Sequence, residues 1–178
     1  MTTLPLVLPP TVLGYYLLVL LGSRSPLGAW LEGTFGVRLT FTVGAAVVAA
    51  TVHALPLLVK AVRAAFEEVP AAIEQAARYL GANEWRVFFT VTLPLAARPV
   101  MAGAAIAFAR ALGDFGVTMM IAGSIPGRTQ TAALAIYEAV QRGDEAQAGA
   151  LVAVMSALAL GLLYAANRLG GRRLWRRT

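Results

Sequence analysis

The chain has 178 residues, of which 58% are hydrophobic and 13% are charged. Soluble domains carry about a quarter charged residues, so this composition predicts an integral membrane protein. The net charge of +6 would also suit a protein that binds nucleic acid. Because the chain has no cysteine and a single histidine, His53, it excludes a disulfide framework and a multi-histidine metal centre.

Four apolar runs are each long enough to cross a bilayer core of about 30 Å, which requires about 20 helical residues. The first run begins with Pro5, Pro9 and Pro10, which predict an irregular or kinked start. We predict an all-α polytopic transmembrane helical bundle that forms one domain, residues 1–178. Its predicted spans are residues 4–22, 41–62, 95–122 and 146–167.

The basic residues between these runs predict the orientation of the chain, because Lys and Arg accumulate on the cytoplasmic side of a membrane. Residues 60–98 hold five of them, and the residues after Asn167 hold five more. The other two connections hold two each. We therefore expect the long middle segment and the C-terminus to face the cytoplasm. Topology explains the basic excess better than nucleic acid does, and the Arg-rich tail also suits contact with anionic lipid.

The middle segment carries the local signals of two short helices. Pro70 suits a first helical position, and apolar residues recur at helical spacing from Ile73 to Leu80. Gly81 suits the left-handed residue that ends a helix. Asn83 suits the cap of a second helix, which Leu93-Pro94 is expected to close. Two short helices with a sharp joint, displayed between membrane spans, favour a docking role.

Residues 75–94 read Gln-Ala-Ala, three residues, Gly, nine residues, and then Val-Thr-Leu-Pro. This spacing resembles the EAA loop of ABC importer permeases, whose pattern has Glu in place of Gln75 and Ile in place of Val91. The resemblance implies that the loop at 63–94 inserts into a cleft of a separate ATP-binding subunit and transmits its closure. The residues that this implies for coupling are Glu74, Gln75, Ala76, Ala77, Gly81, Val91, Leu93 and Pro94.

Three further stretches are similar to the molybdate-transport permeases, and together they extend the resemblance over nearly the whole chain. They are residues 4–15, Phe108 to Gly116, and Ile125 to Thr129. The resemblance implies a type I ABC permease fold and a role as the transmembrane subunit of an ATP-driven molybdate importer. A sulfate or tungstate permease is the alternative, since such oxyanions share one shape.

The same resemblance implies the partners and the location of the chain. The partners are an ABC ATP-binding subunit, a periplasmic or lipid-anchored oxyanion-binding protein, a second copy of the permease and the lipid bilayer, with no cofactor. The location is the inner (cytoplasmic) membrane. The chain contains one lysine and no phosphate-binding loop ending in Gly-Lys-Ser/Thr. We therefore expect it to be no enzyme, with ATP hydrolysis on the partner.

Members of this family usually have at least one more span ahead of the stretch that begins at Leu4. We therefore expect the chain to lack a leading span, because its start is misplaced or because it is a shortened form. A non-transporting or truncated membrane scaffold is accordingly the second class of function.

Two charges deep in the third predicted span, Arg110 and Asp114, are costly in a bilayer and usually face a bundle interior or an aqueous path. They either line the oxyanion path or its gate, with Asp114 orienting Arg110 rather than touching the substrate, or form a structural pair that satisfies itself between helices. His53 is expected to be a buried, hydrogen-bonded histidine rather than a proton relay, because the sequence shows no partner for it in the membrane.

Two further features are expected to have structural roles. Gly103, Ala107 and Ala111 lie four residues apart and predict a smooth ridge for close helix packing. Residues 124–131 predict a solvated turn organised by Pro126-Gly127, and direct contact of this turn with the substrate is the alternative.

Overall fold

A computed structural model describes residues 8–36 and 38–170, and helices dominate these residues. No strand occurs in these two ranges, which confirms the all-α prediction. In chain order the elements are α1 Pro10–Leu21, α2 Pro26–Phe35, α3 Val43–Glu67, α4 Ala71–Tyr79, α5 Glu84–Val87, a π-helical turn Phe88–Thr92, α6 Leu93–Leu112, α7 Gly116–Ala122, α8 Ala132–Gln141 and α9 Glu145–Gly170.

Three stretches of helix in the described residues are long and apolar enough to cross a membrane. They are Val43–Glu67, Glu84–Leu112 and Glu145–Arg168. The first apolar run contributes the shorter helix α1, of 12 residues. The start of the first predicted span, residues 4–7, and most of the Arg-rich tail, residues 171–178, lie outside the described residues.

The third predicted span, 95–122, is divided between two helices, because the chain leaves helical geometry between Leu112 and Gly116. The carboxylate of Asp114 accepts hydrogen bonds from the backbone N–H of Thr118, at 2.9 Å, and from its hydroxyl. A short acidic side chain that bonds to nearby backbone N–H groups starts a new helix rather than continuing the old one. Asp114 therefore marks the beginning of α7.

The expected end at Leu93-Pro94 is wrong, because helix runs without interruption from Glu84 to Leu112. Pro94 has no N–H, so the carbonyl of Thr90 loses the usual partner four residues ahead. The wider turn at Phe88–Thr92 accommodates this defect. The hydroxyl of Thr90 also donates to the Arg86 carbonyl at 2.6 Å. Residues 84–92 thus continue directly into a helix that is long enough to cross a membrane.

Residues Met1–Pro56 and Arg110–Ala159 form one compact unit. Its core contains Leu13 and Leu17 of α1 together with Val117 and Ile121 of α7. The two helices approach so closely that a Cβ on Gly14 would lie 2.7 Å from Met120 Cβ. The core of this unit therefore depends on a small residue as well as on apolar ones.

Residues Leu57–Ala109 and Leu160–Thr178 form the second unit. A Cβ on Gly103 would lie 2.5 Å from the Cβ of Ala61. The backbones of α6 and α3 therefore pack too closely at this point to leave room for a side chain. Gly103 and Ala107 are both buried. This contact is the close packing that the small-residue ridge predicts. Phe66, at the end of α3, stacks on Phe88 with ring centroids 6.0 Å apart.

Candidate coupling segment and buried polar cluster

The segment 69–94, called here the coupling segment, has the joint that its sequence predicts. Helix α4 follows Pro70 and gives way to Gly81, whose φ of +84° lies in the left-handed region. Asn83 then caps α5, since its side-chain oxygen accepts a hydrogen bond from the Arg86 N–H at 2.9 Å. The joint at Gly81 and the cap at Asn83 are confirmed. Pro70 lies one residue earlier than predicted, at the N-cap of α4 rather than at its first helical position.

Side-chain contacts fix the angle at this joint. The Arg78 guanidinium donates to both carboxylate oxygens of Glu84, at 2.7 and 3.0 Å, and lies 3.7 Å from Glu74. The hydrogen bond with Glu84 raises the pKa of Arg78 above its usual value. Thr92 donates its hydroxyl to Glu74 at 2.6 Å. Exposed pairs of this kind add little stability, but together they connect α4 to α5 and to the start of the spanning helix.

The residues of the EAA pattern do not share one environment. Gln75, the departure from the pattern, is exposed, whereas the neighbouring Glu74 is partly buried and carries the contact to Thr92. A carboxylate therefore acts within this segment even though Gln occupies the position of the pattern's Glu. The remaining pattern residues that are exposed are Ala76, Gly81, Leu93 and Pro94, and those of intermediate exposure are Ala77 and Val91.

Large apolar side chains stand uncovered around the joint. The exposed fractions are 90% for Tyr79, 89% for Leu80 and 74% for Trp85. These three residues, called here the docking surface, belong to the segment whose basic residues predict a cytoplasmic location. Grouped apolar side chains exposed to water usually mark an interaction site. The surface is thus chemically suited to bind another protein.

A polar cluster lies in the first unit, where the buried His53 meets Arg110 and the buried Asp114 from a distant part of the sequence. Arg110 Nη2 lies 2.8 Å from His53 Nε2. His53 Nδ1 lies 3.3 Å from Asp114 Oδ1, although it makes no well-aligned hydrogen bond within the described residues. The exposed fractions are 5% for His53 and 3% for Asp114. The imidazole is therefore placed between the guanidinium and the carboxylate.

The contact with Arg110 fits one tautomer of the His53 imidazole. A guanidinium has only donors, so a hydrogen bond between these two side chains requires Nε2 as the acceptor and places the ring proton on Nδ1. The imidazole in this arrangement is neutral, with its N–H on the side of Asp114. Asp114 is held in turn by the two hydrogen bonds from Thr118. Arg110 and Asp114 thus each have a hydrogen-bond partner, whereas His53 Nδ1 lies close to Asp114 without a well-aligned hydrogen bond.

The structure changes the expected relation between Arg110 and Asp114. The sequence predicts that Asp114 orients Arg110 directly, whereas here His53 lies between them. Arg110 itself is exposed on the surface of the chain. Its guanidinium has five N–H donors, so a single contact to His53 leaves others for another ligand. Sequence reasoning missed His53 as the partner because no local pattern connects positions 53 and 110.

The turn at 124–131 closes on itself. Gly127 has a φ of +72°, and the buried hydroxyl of Thr129 accepts a hydrogen bond from the Ile125 N–H at 3.1 Å. The hydroxyl is thereby occupied within the turn, while Arg128 is exposed. These contacts favour the structural interpretation of this segment over direct contact with a substrate.

The family described as "Binding-protein-dependent transport system inner membrane component" matches residues 1–175. A molybdenum transport system permease protein of Escherichia coli (strain K12) is 48% identical over 158 residues, or 88% of this chain and 69% of the relative. Its counterpart from Azotobacter vinelandii is 41% identical over 168 residues, or 93% of this chain and 74% of the relative. A sulfate transport system permease protein of Escherichia coli (strain K12) is 36% identical over 169 residues, or 95% of this chain and 61% of the relative. The chain belongs to the family of binding-protein-dependent transport system inner membrane components.

Proposed function

We propose that this chain is the transmembrane permease subunit of an ATP-driven importer of molybdate. The relatives named above as molybdenum transport permeases cover most of the chain, at higher identity than the sulfate permease does. The observation that carries the proposal of ATP coupling is the docking surface, three large apolar side chains exposed around the joint between α4 and α5. The chain itself makes and breaks no covalent bond.

The coupling segment docks on a separate ATP-binding subunit through Tyr79, Leu80 and Trp85. When ATP closes a pair of such subunits, α4 is displaced with them. The contacts of Arg78 with Glu84 and of Glu74 with Thr92 transmit this displacement to the spanning helix. The pathway then alternates between outward-facing and inward-facing states by rigid-body movement of packed helices.

The transporter contains two copies of the permease, each on one ATP-binding subunit, and a periplasmic or lipid-anchored protein delivers the oxyanion. The coupling segment and the C-terminus lie in the cytoplasm, in keeping with the five basic residues of 60–98 and the five after Asn167. Arg110 lines the translocation path or its gate, because a charged side chain within a spanning segment usually faces the bundle interior or an aqueous path.

Sulfate or tungstate is the alternative substrate. The 36% identity to a sulfate transport permease supports sulfate as this alternative. The test is ATP-dependent uptake of labelled molybdate into vesicles that contain the assembled transporter and its binding protein. We expect uptake that stops without ATP and that unlabelled molybdate suppresses at lower concentration than sulfate does. Suppression by sulfate at the lower concentration would assign the chain to sulfate. Absence of ATP-dependent uptake of labelled molybdate, and of labelled sulfate and tungstate in the same vesicles, would favour a membrane scaffold.

A further inference from the structure

We infer that His53 is the positioning residue of Arg110, and that it holds the guanidinium only while its imidazole is neutral. The first step is geometric. Arg110 Nη2 and His53 Nε2 are 2.8 Å apart, and Arg110 can only donate. Because His53 is almost entirely buried, this contact cannot be exchanged readily for water. The side chain that fixes one end of Arg110 is therefore a titratable group.

The second step concerns the proton. A protonated imidazole carries N–H groups on both nitrogens, so its Nε2–H would point at the N–H donors of Arg110. The only charged groups that contact His53 within the described residues are Arg110, at the end of α6, and Asp114, just beyond it. Asp114 can stabilise the new charge on the Nδ1 side but cannot remove the conflict on the Nε2 side. Protonation of His53 therefore releases Arg110.

The functional consequence rests on the proposed function, in which Arg110 lines the oxyanion path. A guanidinium held at one nitrogen presents its remaining donors in a fixed direction, which suits the planar recognition of oxyanions by arginine. Acidification then weakens transport through the permease itself, by freeing Arg110.

The tautomer can be measured without any transport assay. His53 is the single histidine of the chain, so the ¹⁵N-histidine signal of the assembled transporter that disappears in the His53→Gln variant belongs to it. We expect an imidazole protonated on Nδ1 and unprotonated on Nε2 at neutral pH, and a change in the Nε2 shift in Arg110→Met. An imidazole protonated mainly on Nε2, or a signal that does not respond to Arg110→Met, would overturn the inference whatever the substrate is.

Two substitutions of similar polarity distinguish positioning from a merely structural role. Glutamine can bring its carbonyl oxygen close to the position of Nε2, whereas asparagine is too short to do so. In vesicle uptake at neutral pH we expect His53→Gln to remain within a few-fold of the unmodified protein and His53→Asn to lose about tenfold or more, the usual effect of a lost hydrogen bond to a charged group. Both variants should assemble in unmodified amounts.

The pH profile completes the test. As the pH is lowered from neutral through the range in which the ¹⁵N signal reports protonation of His53, uptake by the unmodified protein should fall more than uptake by His53→Gln, with ATP hydrolysis measured at each pH as the reference. Parallel pH profiles, or equal uptake by His53→Asn and the unmodified protein, would overturn the positioning role. Failure of the unmodified protein to transport any oxyanion would instead reject the proposed function, while the tautomer measurement would still decide the inference.

Discussion

Gly81→Val should separate ATP hydrolysis from oxyanion uptake while leaving the permease in the membrane. Among the described residues, no heavy atom beyond the adjacent residues of the chain would lie within 4 Å of a Cβ on Gly81, so the obstacle is the backbone, whose φ is +84°. A β-branched residue in that conformation costs about 1–2 kcal/mol, equivalent to a factor of about 5–30 in a two-state population. The angle between α4 and α5 therefore changes. We expect the number of anions taken up per ATP hydrolysed to fall by about that factor in vesicles.

Gly143→Val is the matched control. Gly143 has a φ of +73° and equally open surroundings, but it lies between α8 and α9. The Gly143→Val variant should have the same backbone strain, but its ratio of anions taken up to ATP hydrolysed should not change. Gly81→Asn should fall between valine and glycine, because asparagine tolerates the left-handed region better. An unchanged ratio in Gly81→Val, or an equal loss in Gly143→Val, would contradict the proposed role of this joint.

Arg110→Met should reduce oxyanion uptake by about tenfold to a hundredfold. Methionine removes the positive charge and every donor, so the buried Nε2 of His53 is left without its partner. Hydrogen bonds to charged groups contribute about 1.5–3 kcal/mol. This free energy corresponds to the expected loss of about tenfold to a hundredfold in uptake. Uptake at several molybdate concentrations should show the loss, whereas association with the ATP-binding subunit should remain, because the coupling segment is unchanged.

Arg98→Met is the control for Arg110→Met, since both arginines belong to helix α6 and both are exposed. Arg98→Met removes a positive charge near the predicted cytoplasmic end of the helix, away from the contact with His53. We therefore expect this variant to have little effect on uptake. Arg110→Lys should recover only part of the activity, because an ammonium lacks the planar fork of a guanidinium. Uptake by Arg110→Met at the unmodified rate would remove Arg110 from the proposed path.

The coupling segment could be predicted closely because its signals are local. Pro70 at the start, Gly81 at the joint and Asn83 at the cap each act on their immediate backbone. The spanning helices could be predicted for a similar reason, since length and hydropathy suffice for a membrane. What could not be predicted was the continuity through Pro94, which depends on a π-helical turn that widens the helix just ahead of that proline.

The buried cluster depends on contacts between residues that are far apart in the chain. His53 and Arg110 are separated by 57 positions, and their contact follows from the packing of the first unit rather than from either local sequence. Asp114 was visible as a charge in an apolar run, but its bonds to Thr118 divide that run into α6 and α7. A hydropathy window counts Asp114 only as a polar residue and cannot show that its side chain begins a helix.

The most direct test of the central claim, that residues 69–94 dock on an ATP-binding subunit, is photo-crosslinking from Leu80. Since the chain has no cysteine, Leu80→Cys provides a single thiol in the permease for a benzophenone maleimide. Val154→Cys, at an exposed position of the apolar helix α9, provides the matched control. In membranes that contain the assembled transporter, we predict an adduct with the ATP-binding subunit from position 80 and none from position 154. Efficient labelling at position 80 without that adduct, or equal adducts from both positions, would contradict the account.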